Sequence, residues 1–281
     1  MVKVNAIKLL FTVTVLCFLA NCSPTPKEDW EILFNGSNLE DWDTYLGAKQ
    51  ISGDTSIYKP LGLNIDTSVF KIVNLNDENV LRVSGEIWGG ISTKREFENY
   101  HLQLQFKWGK LKWYPREKDS DRRDSGLLYH GVGEHGIGDG YWLRSQEFQI
   151  QEGDCGDYWG VAGAGFDIRA SMNADSVFQY DPQGAIQTFS QISELGRFCK
   201  KNPDAEIPSG EWNTVDLYCF KNTSVHVINN VVVMVLENSK QSDGGVYTEL
   251  SKGKIQLQSE SAEVYYRNIK IRSIDQIPKL D

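Results

Sequence analysis

The sequence predicts an all-β protein with little helix, built as an antiparallel β-sandwich or jelly roll. Short runs of alternating apolar and polar residues recur along the chain, and Gly, Asn, Asp and Pro interrupt them at short intervals. No window keeps a 3.6-residue apolar period for three turns, which is the pattern of an amphipathic helix. Many short strands separated by turn signals are typical of a sandwich or jelly roll.

The strands follow from this alternation in chain order. The predicted strands are 69–73, 80–83, 101–108, 126–130, 146–151, 214–220, 224–228, 231–236, 254–258 and 264–271. Asn229 and Asn230 separate two of these strands, and asparagine tolerates the positive φ of a tight hairpin turn. Residues 112–124 are crowded with charge and predict a solvated loop. Residues 153–208 are glycine-rich and predict a long irregular excursion of the kind that forms the rim of a cleft.

The N-terminal residues predict export. Residues 1–21 resemble a signal peptide, with Lys3 and Lys8 ahead of an apolar run too short to span a bilayer comfortably. The run ends in LANCS at 19–23, which resembles the lipobox of bacterial lipoproteins and makes Cys22 the expected lipidation site. An ordinary cleaved signal peptide with an incidental cysteine is the alternative.

We therefore expect a chain in the periplasm or at the surface of a bacterium, held to a membrane by a lipid anchor. The serine that follows the cysteine favours the outer membrane. Residues 22–28 are then a polar tether, residues 29–276 a single domain, and residues 277–281 a tail, because no Pro/Gly/Ser linker divides the region.

Composition excludes several classes of protein. With 40 % hydrophobic and 24 % charged residues the chain is neither disordered nor a multi-span membrane protein. A net charge of −9 without a Lys/Arg block makes nucleic acid an unsuitable partner. The 8 Trp, 12 Tyr and 12 Phe favour a carbohydrate partner, since aromatic rings pack on sugar faces. No P-loop, GxSxG or HExxH motif occurs, so we expect no nucleotide cofactor, serine nucleophile or HExxH zinc site.

Three cysteines lie beyond the leader and the lipidation site. An oxidising compartment permits a disulfide, and Cys155 and Cys199, both in loop-like sequence, are the predicted pair. Cys219 lies in a strand-like run and is expected to be a buried free thiol. No CxxC motif supports a thiolate zinc site.

The richest segment for chemistry is SQEFQIQEGD at 145–154. In a strand, Glu147, Gln149 and Gln151 share one face, whereas Phe148 and Ile150 pack on the other. Three polar groups on one face indicate a wet cleft, with a plain solvent-exposed face as the alternative.

The same segment nearly matches the E-x-D-x-x-E pattern of laminarinase-like retaining glycosidases. Glu147 and Glu152 fit the two carboxylates, but Gln149 occupies the central acidic position. The two glutamates also fall on opposite faces of a regular strand. The pattern therefore disfavours a conventional retaining mechanism.

Other candidates lie on neighbouring predicted strands. Gln256, Gln258 and Glu260 form a second polar ladder that ends in a carboxylate. His130 and His135 are the best candidates to bind a metal with Glu147, although their spacing is no zinc signature and a lone histidine is more often structural. Trp88 and Lys107 are weaker candidates for the cleft.

Taken together, these residues resemble the bacterial family of 3-keto-disaccharide hydrolases. The resemblance covers essentially the whole of 29–276 and comprises ordered elements at fitting intervals. These elements are ILFNGSNLEDW at 32–42, GISTK at 90–94, DSGL at 124–127, EFQI at 147–150, GEWN at 210–213, LQ at 257–258 and YRNI at 266–269. Asp124 replaces the asparagine usual in the family, and Glu260 stands where many relatives carry histidine.

The resemblance implies a concanavalin A-like β-sandwich that cleaves glycosides oxidised to a ketone at sugar carbon 3. A base removes the acidified proton at carbon 2, the aglycone leaves carbon 1 by β-elimination, and water can add to the product. Such a site needs a base, a group that stabilises the enolate oxygen and an acid for the leaving group. A divalent metal ion could supply the enolate stabilisation, and a separate sugar 3-oxidoreductase must make the ketone.

This resemblance gives each candidate residue a role. Glu147 is expected to be the base or a metal ligand, and His130 and Glu260 acid–base groups or partner ligands. Binding of sugar hydroxyls or ring faces is expected of Gln149, Gln258, Tyr129 and Trp88. A non-catalytic carbohydrate-binding module that uses the same face is the competing function, and a conventional glycosidase is the third.

Overall fold

The computed structural model describes residues 30–53, 58–65 and 68–280. The predicted signal peptide, Cys22 and the tether lie outside the described residues. Within the described part the regular elements are all strands, and it contains no helix long and apolar enough to cross a membrane.

The described residues form twenty strands. In chain order they are β1 (Glu31–Ile32), β2 (Trp42–Leu46), β3 (Gly62–Leu63), β4 (Phe70–Leu75), β5 (Glu78–Val83), β6 (Gly89–Thr93), β7 (Tyr100–Lys112), β8 (Asp124–Val132), β9 (Arg144–Gln151), β10 (Tyr158–Val161), β11 (Ala164–Met172), β12 (Phe178–Tyr180), β13 (Ala185–Ser190), β14 (Phe198–Cys199), β15 (Asn213–Phe220), β16 (Thr223–Ile228), β17 (Val231–Asp243), β18 (Val246–Glu249), β19 (Lys254–Ser259) and β20 (Ala262–Ser273).

These strands form two sheets. The front sheet has eight strands among the described residues, in the order β14-β10-β9-β8-β19-β6-β2-β3. The back sheet has twelve, with the path β12-β11-β17-β16-β15-β7-β20-β5-β4 and with β1, β13 and β18 paired to its members. Neighbouring strands pair antiparallel, for example β8 with β9 and β7 with β20. The expected all-β antiparallel sandwich is confirmed.

One hydrophobic core joins the two sheets. Alternate residues of the long strands enter the same buried cluster, because side chains of a strand point to its two faces in turn. The front sheet contributes Leu127, Phe148, Ile150 and Leu257, and the back sheet contributes Leu104, Phe106, Leu217 and Tyr266. The residues between them on β9 and β19 are thereby directed to the outer face of the front sheet.

All ten predicted strands are confirmed, most of them with longer bounds. The turn at Asn229 and Asn230 is also confirmed, since both residues have positive φ, at 48° and 69°. The irregular structure predicted for 153–208 is wrong, because β10 to β14 lie within it, although residues of this stretch do line a cleft. Its glycines permit close strand packing: a β-carbon at Gly160 would lie 2.2 Å from the Ala164 carbonyl oxygen. Glycine here marks a close approach inside a sheet and not a loop.

The predicted disulfide is wrong. Cys155 and Cys199 are both free thiols, and both are fully buried. Cys199 is part of β14, where it lies opposite Tyr158, whereas Cys155 belongs to the turn between β9 and β10. Burial raises the pKa of each thiol above its ordinary value, so both are small apolar core residues. Cys219 is a buried free thiol, as predicted.

Candidate active site

An open cleft of about 440 Å³ lies on the outer face of the front sheet. Its floor is formed by β8, β9, β10 and β19. The segment 113–123, which is the predicted charged loop, supplies one side of the rim, and the segment before β14 supplies another. The cleft is therefore built on a rigid sheet and is bordered by connecting segments.

Strand register arranges the floor in rows. Glu147 of β9 lies opposite Trp159 of β10 and Leu128 of β8, so these side chains share one face. Two residues further along β9, Gln149 lies opposite Gly126. A third row pairs Gln151 with Asp124, and Glu260 follows at the end of β19.

Gly126 lies at the centre of these rows, where its lack of a side chain makes room for two neighbouring side chains. A β-carbon there would lie 2.3 Å from Oε1 of Gln258 and 2.5 Å from Oε1 of Glu147. Glycine is thus required because these two side chains converge over its backbone.

Three carboxyl groups and one arginine converge at the floor. The Arg116 guanidinium contacts the carboxylate of Asp124, and its Nη2 lies 4.0 Å from Oε1 of Glu260. Asp124 also accepts a hydrogen bond of 2.6 Å from Nε2 of Gln151. Glu147 is 6 % exposed and Asp124 is 2 % exposed, so their charged forms are poorly hydrated.

This burial shifts the titration of all three acids. Burial raises the pKa of Asp124 to about 7, against the opposing charge of Arg116. Burial and the negative charge of Asp124 raise the pKa of Glu147 to about 8. The same two causes, with the charge of Glu147 added, raise the pKa of Glu260 well above its ordinary value. At neutral pH the cluster therefore holds both ionised and protonated carboxyl groups.

Two amides accompany the acids. In the orientation that satisfies its neighbours, Nε2 of Gln149 donates to Oε1 of Glu147 and to the Ser125 carbonyl, each at 3.0 Å. Gln258 lines the cleft beside Glu147. Amides offer both donors and acceptors, which suits the recognition of sugar hydroxyls.

An aromatic wall stands at the other end of the cleft. The rings of Trp159 and Phe198 are 4.7 Å apart, and the Arg197 guanidinium lies 5.7 Å from the Trp159 ring centre. Trp142 also lines the cleft. The cleft thus combines an acidic floor with a partly apolar wall, as expected for a site that holds sugar rings.

The structure brings together four of the predicted site residues. Glu147, Gln149, Gln258 and Glu260 all line the cleft. Trp88 lies behind it, where its Nε1 donates to Oγ of Ser261 and its ring stacks on Trp142. Trp88 therefore supports the wall and does not line it.

The other predicted residues lie elsewhere. Lys107 lies on β7 of the back sheet, opposite Tyr265. Tyr129 is fully buried in the core, where its hydroxyl and Nε2 of His226 are 3.0 Å apart. Both residues were expected in the cleft. Tyr129 lies outside it because the alternation of β8 directs its side chain into the core, and Lys107 lies outside it because β7 belongs to the back sheet.

His130 is also separated from Glu147. A β-bulge follows Tyr129, and His130 adopts a positive φ of 53° at that point. Its ring contacts Tyr100 and Tyr129, and burial lowers its pKa to about 3. His130 is thus a neutral, buried residue. The expectation that it acts in the cleft as an acid–base group or metal ligand is wrong.

The expected metal-binding set is not brought together. His135 stacks on Tyr45, and His130 lies in the core. In the part of the chain that the structure describes, no group of three or more His, Cys, Asp or Glu side chains is arranged to hold a metal ion. The predicted ligands therefore do not form a metal-binding group in the described part of the chain.

Sequence reasoning left several cleft residues without a role. Asp124, Arg116, Arg197, Trp142 and Trp159 all line the cleft. The crowded charges of 112–124 were a signal for the first two. Arg197 and Trp159 lie in 153–208, which was predicted to be irregular, and the sequence there contains no alternation from which strand register could be predicted.

Glu152, the second carboxylate of the glycosidase-like pattern, is engaged outside the cleft. Its carboxylate is 3.0 Å from Nη1 of Arg123 and accepts a hydrogen bond from Ser209. Glu152 therefore cannot act with Glu147 as the carboxylate pair of a retaining glycosidase. The chain departs from that pattern both in sequence, at Gln149, and in the position of Glu152.

Comparisons with known proteins identify a family for this chain. A family model described as a 3-keto-alpha-glucoside-1,2-lyase-like domain matches residues 29–272. A comparison with curated protein sequences found no match.

Solved structures with similar folds include two proposed glycosyl hydrolases from Parabacteroides distasonis. One is 16 % identical with a TM-score of 0.52, and the alignment covers 88 % of this chain and 95 % of that one. The other is 19 % identical with a TM-score of 0.49, covering 88 % and 100 %. A galectin-like protein of unknown function from Bacillus subtilis is 12 % identical, with a TM-score of 0.43 and coverage of 87 % and 98 %. The similarity to the first of these shows a shared β-sandwich fold.

Proposed function

The chain belongs to the 3-keto-alpha-glucoside-1,2-lyase-like family, and on that premise we propose that it cleaves 3-keto-glycosides in the cleft of the front sheet. The reaction is β-elimination of the aglycone after removal of the proton at carbon 2, with or without addition of water to the product. A separate enzyme that oxidises carbon 3 of the sugar supplies the substrate.

The observation that carries this proposal is the cluster of Asp124, Glu147 and Glu260 around Arg116. An elimination needs one ionised carboxylate as base and one protonated carboxyl as acid at the same pH. Buried acids with a shared environment provide both, because ionisation of one raises the pKa of the next.

Glu147 is the base in this account. It lies at the centre of the cleft floor, where its Oε1 projects over the backbone of Gly126 beside the amide of Gln258. The hydrogen bond from Gln149 orients its carboxylate. Because its pKa is about 8, its ionised form is a stronger base than an ordinary glutamate.

Glu260 is the acid for the leaving oxygen. Burial and the charges of Asp124 and Glu147 raise its pKa well above the ordinary value, so it keeps its proton to a higher pH than an ordinary glutamate does. Asp124 and Arg116 hold each other in place beneath it. Gln149 and Gln258 bind hydroxyl groups of the sugar.

The test is aglycone release from two glucosides that differ only by oxidation at carbon 3. We expect the purified protein to release aglycone from the keto sugar alone, and Glu147→Gln to abolish release. Glu152→Gln is the matched control, since Glu152 pairs with Arg123 outside the cleft, and it should retain the rate.

Three results would contradict the proposal. Release from the unoxidised glucoside would indicate a conventional glycosidase. Saturable binding of sugar with no release from either glucoside would indicate a carbohydrate-binding module. Full turnover by Glu147→Gln would remove Glu147 from the role of base. Repeating the assay with chelator tests whether a metal ion takes part, and we expect an unchanged rate.

A further inference from the structure

The proposed elimination needs a group that stabilises the enolate oxygen at carbon 3, and the predicted residues do not include one. Within the described residues, four cationic side chains line the cleft: Arg116, Arg122, Arg197 and Lys200. Their neighbours decide which of them is available to a substrate.

Two of these cations are bound to carboxylates at close range. Arg116 contacts Asp124, and Arg122 contacts Asp154. The charge of Lys200 acts on Asp157, where it adds a small lowering effect on the pKa to the larger one of Lys201, against the effect of burial. The N–H donors of an ion-paired guanidinium already bind the partner carboxylate. They are therefore less available to bind a substrate.

Arg197 is held differently. Its two terminal nitrogens are both 3.4 Å from Oδ2 of Asp139, a long contact to a side chain that is 53 % exposed. The guanidinium lies over the ring of Trp159, and the Arg197 carbonyl accepts a hydrogen bond of 2.9 Å from the Gly160 amide. The backbone and the ring thus fix the guanidinium while its donors remain weakly engaged.

Arg197 also lies close to the base. Trp159, over which it lies, is the cross-strand neighbour of Glu147, and the charge of Arg197 partly offsets the burial that raises the pKa of Glu147. Glu260 lies on the opposite side of Glu147, just past the end of β19, which is two strands away from β9. Arg197, Glu147 and Glu260 therefore follow one another across the cleft.

This order matches the order of the reacting atoms. We propose that the Arg197 guanidinium is a catalytic group that binds the carbonyl oxygen at carbon 3 and stabilises the enolate formed there. Carbon 2 then lies at Glu147, and the leaving oxygen on carbon 1 lies at Glu260. This inference rests on the proposed function and extends it to the group that accepts the developing charge.

The electrons balance across these three groups. The Glu147 carboxylate takes the proton from carbon 2, and the electron pair of that bond forms the double bond between carbons 2 and 3. The carbonyl oxygen becomes an anion paired with Arg197. When the carbonyl re-forms, the pair moves to the bond between carbons 1 and 2. The bond from carbon 1 to the aglycone oxygen breaks, and Glu260 gives that oxygen its proton.

A substrate analogue separates the two half-reactions. A 3-keto-1,5-anhydro sugar, which lacks the exocyclic oxygen at carbon 1, can form the enolate but has no aglycone to eliminate. In D2O, the exchange of its carbon-2 proton measured by NMR reports only the work of Glu147 and Arg197, whereas aglycone release from a 3-keto-glucoside also requires Glu260.

We expect Arg197→Gln to slow the exchange by about 10²–10³-fold, the usual effect of removing an oxyanion donor. Glu260→Gln should keep the exchange and lose aglycone release. Arg169→Gln is the matched control, because Arg169 is exposed on β11 of the back sheet, and it should keep both. Thermal melting of each variant confirms that it is folded.

Two further readouts exclude a merely structural role for Arg197. Arg197→Lys keeps the charge and should exchange faster than Arg197→Gln. The exchange rate of Arg197→Gln should also rise at higher pH than that of the unchanged protein, because the lost charge no longer lowers the pKa of Glu147.

Exchange by folded Arg197→Gln within a few-fold of the unchanged protein would overturn this inference and leave the proposed function intact. A lysine variant no faster than the glutamine variant would overturn the role of the charge. Failure of the unchanged protein both to exchange and to release aglycone would overturn the proposed function, and this inference with it.

Discussion

Replacing Gly126 with alanine tests whether the lack of a side chain at this position keeps Glu147 and Gln258 in the positions that catalysis needs. The added β-carbon would lie 2.5 Å from Oε1 of Glu147 and 2.3 Å from Oε1 of Gln258, whereas ordinary contact begins at 3.4 Å. Each oxygen must therefore retreat by about 1 Å. A misplacement of about 1 Å costs on the order of 10²-fold in rate, which is about 2.7 kcal/mol of activation free energy.

The fold should tolerate this change. The obstructing atoms are the ends of side chains that face a cleft, and the φ of Gly126 lies outside the left-handed region. The lower conformational entropy of the unfolded chain with alanine stabilises the fold by about 0.4–1 kcal/mol. This gain offsets part of the free-energy cost of displacing the two side chains. The assay is kcat for aglycone release from a 3-keto-glucoside, together with the free energy of unfolding.

Gly90→Ala is the matched control. A β-carbon at Gly90 would lie 2.5 Å from Cδ of Gln256, a side chain of the same sheet that lies outside the cleft lining. We expect a similar effect on stability but a rate within a few-fold of the unchanged protein. A folded Gly126→Ala variant with unchanged kcat, or an equal loss of rate in Gly90→Ala, would refute the reasoning.

Three further predictions concern protons and thiols. Because Glu147 must be ionised to act as base, kcat/KM should rise with pH through about 8, and a rate that falls between pH 6 and 8 would contradict this role. Three buried acids have pKa values above those of the unfolded chain: about 7 for Asp124 and Asp157, and about 8 for Glu147. The folded chain therefore binds more protons than the unfolded chain between about pH 4 and 8. The free energy of unfolding in urea should therefore fall as pH rises through that window, with a smaller slope in Glu147→Gln, and a rising stability would be inconsistent. Since Cys155 and Cys199 are free, dithiothreitol should leave the melting temperature unchanged, and a clear drop on reduction would restore the disulfide.

The sequence was sufficient where one face of a strand is apolar and the other polar. The alternation around Phe148 and Ile150 predicted β9, and it also predicted that Glu147 and Gln149 share the opposite face. The same logic placed Gln258 and Glu260 correctly. In these strands burial alone decides the direction of each side chain, so no long-range information was needed.

The errors arose where local sequence does not determine direction. His130 follows the bulge after Tyr129, and a bulge reverses the alternation on which the expectation depended. Lys107 alternates correctly, but its strand belongs to the other sheet. Arg197 joins the cleft only because β14 pairs with β10, and such pairing between distant segments leaves no periodic signal in the chain.

The central claim is that the carbon–hydrogen bond at carbon 2 breaks during cleavage in this cleft. The most direct measurement uses a 3-keto-glucoside deuterated at carbon 2 and follows the deuterium in the product after a short, quenched reaction. Product incubated alone for the same time corrects for spontaneous exchange. The account predicts that the enzymatic product has lost the deuterium from carbon 2, because Glu147 transfers it to solvent. Full retention of deuterium at carbon 2, with the aglycone released, would contradict the account.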